Sequence, residues 1–189
     1  MIYFNASSEL LRKAGISNIE KVPIDPQAES LPLSCLSNVQ KYVEIKGGGI
    51  QFGWIFSCIG NIALKKTAHA VVVREDKTFL CVTPNEYKLD QLNFVRDTSI
   101  EKIIKNNFLP THFTALFKNK YLDLFLDLER ELDHLRLTNN GIVLNSEIQE
   151  IHNKAAVLYP EILSLAKSKT GGYDYCYCGS TKKRKNCCR

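Results

Sequence analysis

Four of the seven cysteines fall within the last fourteen residues, in the pattern C-x-C-x8-C-C formed by Cys176, Cys178, Cys187 and Cys188. Four thiolates supply a complete tetrahedral shell for Zn2+, and a loop of this length is long enough to fold two pairs around one ion. Thiolate sites of this size also accept Fe2+, although zinc stands higher in the usual affinity order. The competing reading is two disulfides. Against it, adjacent Cys187 and Cys188 are a sterically poor pair, and nothing else in the chain has a secreted character.

A second constellation lies upstream. Cys35 sits at the predicted start of a helix, just after Ser34, and His69 opens a predicted strand. A helix N-terminus favours a thiolate, and an imidazole on a facing strand can hold that thiolate as an ion pair, which is the physics of a cysteine nucleophile. The third member would be a polar side chain that orients the ring. The following strand reads Thr78-Phe79-Leu80-Cys81-Val82-Thr83-Pro84-Asn85, and Asn85 is the candidate, reaching around a turn, with Thr83 a poor substitute. Asn38, one helical turn from Cys35, either orients a substrate or binds a nearby loop. The plain alternative is that Cys35 and His69 are core residues, since free cysteine is among the most buried residue types.

The tail resembles the SEC-C motif, named for the extreme C-terminus of the preprotein-translocase motor SecA, which usually reads C-x-C-G-S-G-K-K-x-K-x-C-C or C-H. The match spans residues 176 to 188 and includes the four ligand positions, the Gly179-Ser180 turn, and Lys182, Lys183 and Lys185. Thr181 replaces a loop glycine, Tyr177 a frequent proline, and Arg184 a frequent aromatic. The resemblance implies a zinc-binding docking module whose partner is a SecB-type chaperone, the ribosome or the translocation machinery. Residues 30 to 97 resemble, in the order of their elements alone, papain-like and transglutaminase-like cysteine enzymes. That likeness implies a hydrolase or transferase built on Cys35 and His69.

Charge supports a local rather than a global polyelectrolyte. Of the formal net +5, the segment from Thr170 onward carries five basic residues against Asp174, so +4 lies in the tail and the body is close to neutral. Four thiolates on one Zn2+ bring the site to a charge of about −2. Lys182, Lys183, Arg184 and Lys185 then either support the thiolate cluster electrostatically or meet an acidic protein surface, RNA phosphate or anionic lipid. A short knuckle of this size supports at most weak, salt-dependent nucleic-acid binding. No stretch approaches the roughly 18 apolar residues that span a bilayer, and Met1-Ile2-Tyr3-Phe4-Asn5 lacks a basic-then-apolar secretion signal, so a cytoplasmic protein is expected.

The elements that must position these residues read as an α+β fold. A short helix capped by Ser7 or Ser8 ends before Gly15. A proline-punctuated segment runs from Val22 to Pro32, and a helix from Ser34 to about Ile45 carries Leu36, Val39, Tyr42 and Val43 on one face. Gly47-Gly48-Gly49 ends it as a turn, without the context of a phosphate loop. Strands are predicted at 50–56, 68–74, 78–83 and 91–95, with Glu75-Asp76-Lys77 a turn. The small, mostly antiparallel sheet and its N-terminal helix layer form a first unit, residues 1–108. The second unit, 109–169, is a helical hairpin. One helix carries Phe113, Phe117, Tyr121, Leu124, Leu128, Leu132 and Leu135 and ends near Asn139-Asn140-Gly141. The next opens with a Ser146/Gln149 capping box, carries Ile148, Ile151, Ala155, Leu158, Ile162 and Leu165, and can be kinked by Pro160. Residues 170–189 are the zinc-binding tail. Trp54 is a core residue or a cleft wall, His112, His134 and His152 occupy solvated positions, and Cys58 and Cys81 fit half-buried strand positions.

The expectation is a zinc-binding adaptor whose tail docks on a partner while the body recognises a second protein or peptide. The alternative is a papain-like cysteine peptidase or amidase, with Cys35, His69 and Asn85 catalytic, targeted by the same tail.

Overall fold

The computed structural model describes residues 3–85, 89–105, 107–139, 144–180 and 182–188. The expected Asn140-Gly141 helix end, Thr181 in the tail loop and the first two residues lie outside them. Phe4–Asn5 forms β1, followed by α1 (Ser8–Lys13), β2 (Glu20–Pro23) and α2 (Cys35–Lys46). Next come β3 (Gly49–Ile59), β4 (Ala63–Val73), β5 (Phe79–Leu80), β6 (Gln91–Arg96), β7 (Thr111–Ala115), α3 (Lys120–Thr138) and α4 (Asn145–Lys169). The fold is α+β, with one seven-stranded antiparallel sheet.

The sheet is built on the long β3–β4 hairpin, paired from Gly49↔Val73 to Ile59↔Ala63, an Ile/Phe/Val-rich run suited to a pleated surface. Its main path is β2-β6-β3-β4-β5, with β1 added to β3 and β7 to β4. The two ends of that path meet, because Ile24 just after β2 bridges Cys81 just after β5. The Cys81 N–H donates to the Pro23 carbonyl and the Asp25 N–H to the Cys81 carbonyl, both at 2.9 Å. Val22, Val71, Cys81, Leu92 and Phe94 fill the space thus enclosed. Gly53 permits the curl, since a Cβ there would come within 2.3 Å of the Phe94 ring.

The amphipathic α2 covers the sheet with Leu36 and Val39, packed with Leu11 of α1 and with Trp54, Phe56, Ala70, Val72 and Leu80. Ser7 caps α1 as expected, accepting from the Leu10 N–H at 3.2 Å. Ser34 makes no such bond on α2. Gly47 at φ +76° and Gly48 at φ +100° end α2 in the left-handed region, and a Cβ on Gly48 would lie 2.5 Å from the Val73 carbonyl.

The expected long helix from Phe113 is corrected. Thr111–Ala115 instead pairs with β4 over Ala63↔Ala115 to Thr67↔Thr111 and buries only Phe113. The sheet therefore continues past residue 108. The helix starts only at Lys120, where the Asn119 side chain accepts from the Tyr121 and Leu122 amides. Its inward face is Leu122, Phe125 and Leu126, whereas Tyr121 and Leu124 are exposed. The α4 stripe holds, with Ile151, Ala155 and Ile162 buried and Leu158 and Leu165 packed beside them. Its Ser146/Gln149 box does not form: Leu144 precedes the first turn without a side-chain cap, and Gln149 bonds Asn153. Both helices pack with Tyr3, Ile59, Ile62 and Phe113 in a second core at one end of the sheet. No helix among the described residues is long and apolar enough to cross a membrane.

Candidate functional site

The tail folds as a small two-armed unit. Tyr175 bridges Lys183, the Cys176 N–H donates to the Lys182 carbonyl at 3.0 Å, and the Gly179 N–H donates to the Cys176 carbonyl at 3.1 Å. A short 3-10 turn, Arg184–Asn186, then delivers Cys187 and Cys188. The sulfurs of Cys176, Cys178, Cys187 and Cys188 all lie within 4.8 Å of one another. Among the described residues this is the one such group of three or more metal-ligating side chains. Tetrahedral coordination with Zn–S bonds of about 2.3 Å requires S···S edges of about 3.8 Å. The Cys178–Cys187 and Cys187–Cys188 separations are 3.5 and 3.9 Å, so two of the edges already match that geometry and the whole group lies within about 1 Å of it.

Electrostatics point the same way. The Ser180 amide, together with neighbouring donors, pulls the Cys178 thiol down to about 6, while hydrogen bonding to Cys176 and Cys178 pushes Cys188 up to about 12. Crowded sulfurs cannot all ionise together unless a cation joins them. The Ser180 hydroxyl also donates to Cys187 Sγ at 3.1 Å, an outer contact that steadies the ligand.

The tail is not a free appendage. Its Asp174 accepts from Asn61 Nδ2 at 2.7 Å and from the Gly171 amide at 2.8 Å, and pairs with Lys13 of α1 at 3.4 Å. Gly179, at φ +83°, sits so close to Phe4 that a Cβ would come within 1.8 Å of the ring. Of the four basic residues expected to meet a partner, Lys183 pairs with Glu9 at 3.4 Å and lies 4.0 Å over the Tyr175 ring. Arg184 donates to the Thr170 carbonyl. Lys182 and Lys185 face solvent, Lys185 over the ring of exposed Tyr173.

No family model, curated protein or solved structure matches this chain.

In the body, the fold brings Cys35 and His69 together. Cys35 is the first residue of α2, and its thiol interacts with the His69 imidazole of β4 and with the Leu36 and Ala70 amides. Burial alone would raise the thiol; the attraction of His69 and these donors outweigh it and hold Cys35 below the ordinary thiol range. Burial likewise disfavours a charged His69, but Cys35 and then Cys81 raise it, to about 10. Both side chains are nearly closed to solvent, with 8% of Cys35 and 7% of His69 exposed. A loop, residues 30–34, leads directly into Cys35. Leu31 and Leu33 of that loop are exposed, Leu33 at φ +63°, a strained conformation for a branched side chain.

Asn85 does not join the pair through the bonds its amide makes here. It accepts from the Leu89 amide at 3.0 Å and donates to the Leu89 carbonyl at 3.1 Å. The group that meets the ring is Cys81, whose Sγ lies 3.3 Å from His69 Nε2. Cys81 and Cys58, expected to be half-buried, are buried. Asn38 serves the loop, bonding the Leu31 amide at 3.0 Å, the Leu31 carbonyl at 2.8 Å and Thr83 Oγ1 at 3.1 Å. Trp54 is a core residue whose Nε1 donates to Asp97 at 2.8 Å. His112, His134 and His152 are exposed, as expected.

Proposed function

We propose that this is a zinc-binding adaptor of SEC-C type. Its metal tail presents a basic and aromatic face, Tyr173, Lys182 and Lys185, to an acidic protein surface such as that of a SecB-type chaperone or a ribosomal protein. The observation that carries the reading is the cluster of four sulfurs within 4.8 Å of one another, two of whose separations match tetrahedral edges. The bound ion would cross-link the two arms, and residues 182 to 185 lie between its two ligand pairs, so the outward lysines would be ordered when the arms are closed. Lys183 and Arg184, engaged with the body, would brace the tail rather than touch the partner. Metal analysis of the purified chain should give one zinc per chain. Cosedimentation with ribosomes and titration with the chaperone should both be tried with the wild type and Cys187→Ser. Equal binding by metal-loaded and metal-free protein would sink the adaptor reading.

A second reading is favoured by one specific observation, the Cys35 thiol held against His69 at the start of α2. On it the body is a cysteine hydrolase or transferase of papain-like type. The Cys35 thiolate would add to the carbonyl carbon of an amide, His69 would pass its proton to the departing amine, and a thioester would remain. Water would then add to the thioester, giving its proton to His69 and releasing the acid and the thiolate. Alkylation tests this reading before any substrate is known. If iodoacetamide labels Cys35 no faster than Cys58 at neutral pH, the pair is structural.

A further inference from the structure

We infer that Cys81 is the third member of the Cys35–His69 site, a positioning residue that holds the imidazole by Nε2 in the role for which Asn85 was the candidate in the sequence. The inference rests on the thiol reading of that site.

Three observations carry it. First, Cys81 Sγ and His69 Nε2 are 3.3 Å apart and both residues are buried. Second, the Cys81 proton has its own acceptor, the Thr83 carbonyl, 3.6 Å from the sulfur. A thiol donating to a carbonyl turns its lone pairs toward the ring, so Nε2 carries a hydrogen toward the sulfur whether the ring is neutral or charged, and the proton that moves between His69 and Cys35 is left to Nδ1. Third, Cys81 has little freedom to move away. Its backbone is bonded on both sides to Pro23 and Asp25 at the seam where the sheet closes, and only 1% of the residue is exposed. An orienting group must be rigid to fix a tautomer, and these backbone bonds hold position 81 in place.

Other claimants are accounted for. Among the described residues, the titratable groups acting on His69 are Cys35 from α2 and Cys81 from the strand edge, and the Asn85 amide is engaged with Leu89. Sulfur is a weaker acceptor than the amide or carboxylate usually found behind a catalytic imidazole. Ring orientation here therefore depends more on the rigidity of position 81 than on the strength of its bond.

The test is peptide-mapped alkylation by iodoacetamide of the full-length, metal-loaded protein from pH 5 to 9, with Cys58 as internal reference. Wild type is compared with Cys81→Ala and Cys81→Asp. Removing the sulfur should slow Cys35 alkylation at pH 6 to 7 by about tenfold and move its midpoint upward, toward the ordinary thiol range of about 8.5. Cys81→Asp, which is worse for packing but better as an acceptor, should keep the wild-type profile or lower the midpoint. An unchanged profile in Cys81→Ala would reduce Cys81 to packing. So would loss of reactivity in a Cys81→Asp protein that still melts cooperatively. Failure of the thiol reading itself looks different: wild-type Cys35 would react no faster than Cys58 at any pH, and the inference would fall with it.

Discussion

The tail cluster and the body site both depend on sulfur anions, yet they solve the problem of that charge in opposite ways. In the tail, four sulfurs crowd together within thirteen residues, two of the residues exposed, and only a cation relieves their repulsion. In the body, the Cys35 sulfur is buried and faces an imidazole from another element, with helix and strand amides sharing the load. The first arrangement is local, and it needs a bound ion to be stable. The second is assembled by the fold and persists only while α2 stays on β4. Loss of metal should therefore strike one region and leave the other nearly untouched, and loss of His69 should do the reverse.

The largest effect is expected from the metal. Structural zinc in finger-sized units contributes about 10–16 kcal/mol of apparent binding free energy at neutral pH. Chelation, or Cys187→Ser, should reduce bound metal from one ion per chain to none. Amides between Gly172 and Cys187 should then exchange as in an unfolded peptide, while those of β3 and β4 keep their protection. Should the sheet amides lose protection in step with the tail, the two regions would form one cooperative unit and the contrast drawn here would fail.

The next largest concerns the thiols. Burial pushes Cys58 up to about 12, whereas His69 holds Cys35 below the ordinary range. Alkylation of Cys35 should exceed that of Cys58 by at least about tenfold at pH 7, and the advantage should widen as the pH falls, because only Cys35 retains thiolate there. His69→Ala should remove most of that advantage without changing metal content. Chelation should leave it in place.

The same contrast explains what was readable in the sequence. The four-cysteine cluster could be found from spacing alone, because every sulfur lies within one short segment. The Cys35–His69 pairing could be anticipated from element order, since a helix start and a strand that packs beneath it bring them together. Its third member could not. Cys81 reaches the ring from just after β5, which pairs beside β4 over Val72↔Leu80 and Val73↔Phe79, but a cysteine at an expected half-buried strand position carries no signal of an orienting role. The α3 stripe failed for a related reason. Phe113 and Phe117 lie at helical spacing from Tyr121, but pairing of 111–115 with β4 overrides that periodicity, and the Asn119 cap sets where the helix begins. Docking of the tail was equally hidden, because Gly179 reads as a turn glycine until Phe4 is seen against it.

That docking contact gives a smaller effect that separates the metal site from its seat. Gly179→Ala adds a Cβ at φ +83°, 1.8 Å from the Phe4 ring, so both backbone strain and a clash oppose the docked tail. Backbone strain of this kind costs about 1 kcal/mol or more. Metal content should stay at one ion, while a protease should cut between Lys167 and Tyr173 sooner than in wild type. Adding Phe4→Ala should relieve the clash but not the strain, restoring part of the resistance. Loss of metal in Gly179→Ala would instead mean that the body helps to form the metal site.

The smallest effect is electrostatic, at the hinge of the tail. Burial raises the Asp174 carboxyl, but the Gly171 amide, Lys13 and Asn61 outweigh it and hold the group below the usual carboxylate range. A carboxyl depressed in the folded state stabilises it above the unfolded pKa of about 3.9, and that contribution fades as the pH falls through the folded value. Lys13 is largely exposed, so the ion pair should be worth less than about 1 kcal/mol, with the bonds to Gly171 and Asn61 adding to it. Asp174→Asn preserves the shape and removes the charge. At pH 7 it should lower the melting temperature of the metal-loaded protein slightly, and the gap between variant and wild type should hold down to about pH 5 and close only as the pH falls below the unfolded pKa of about 3.9. A gap that persisted below pH 4 would place the whole effect in hydrogen-bond geometry, leaving Lys183–Glu9 as the charge-dependent link between tail and body.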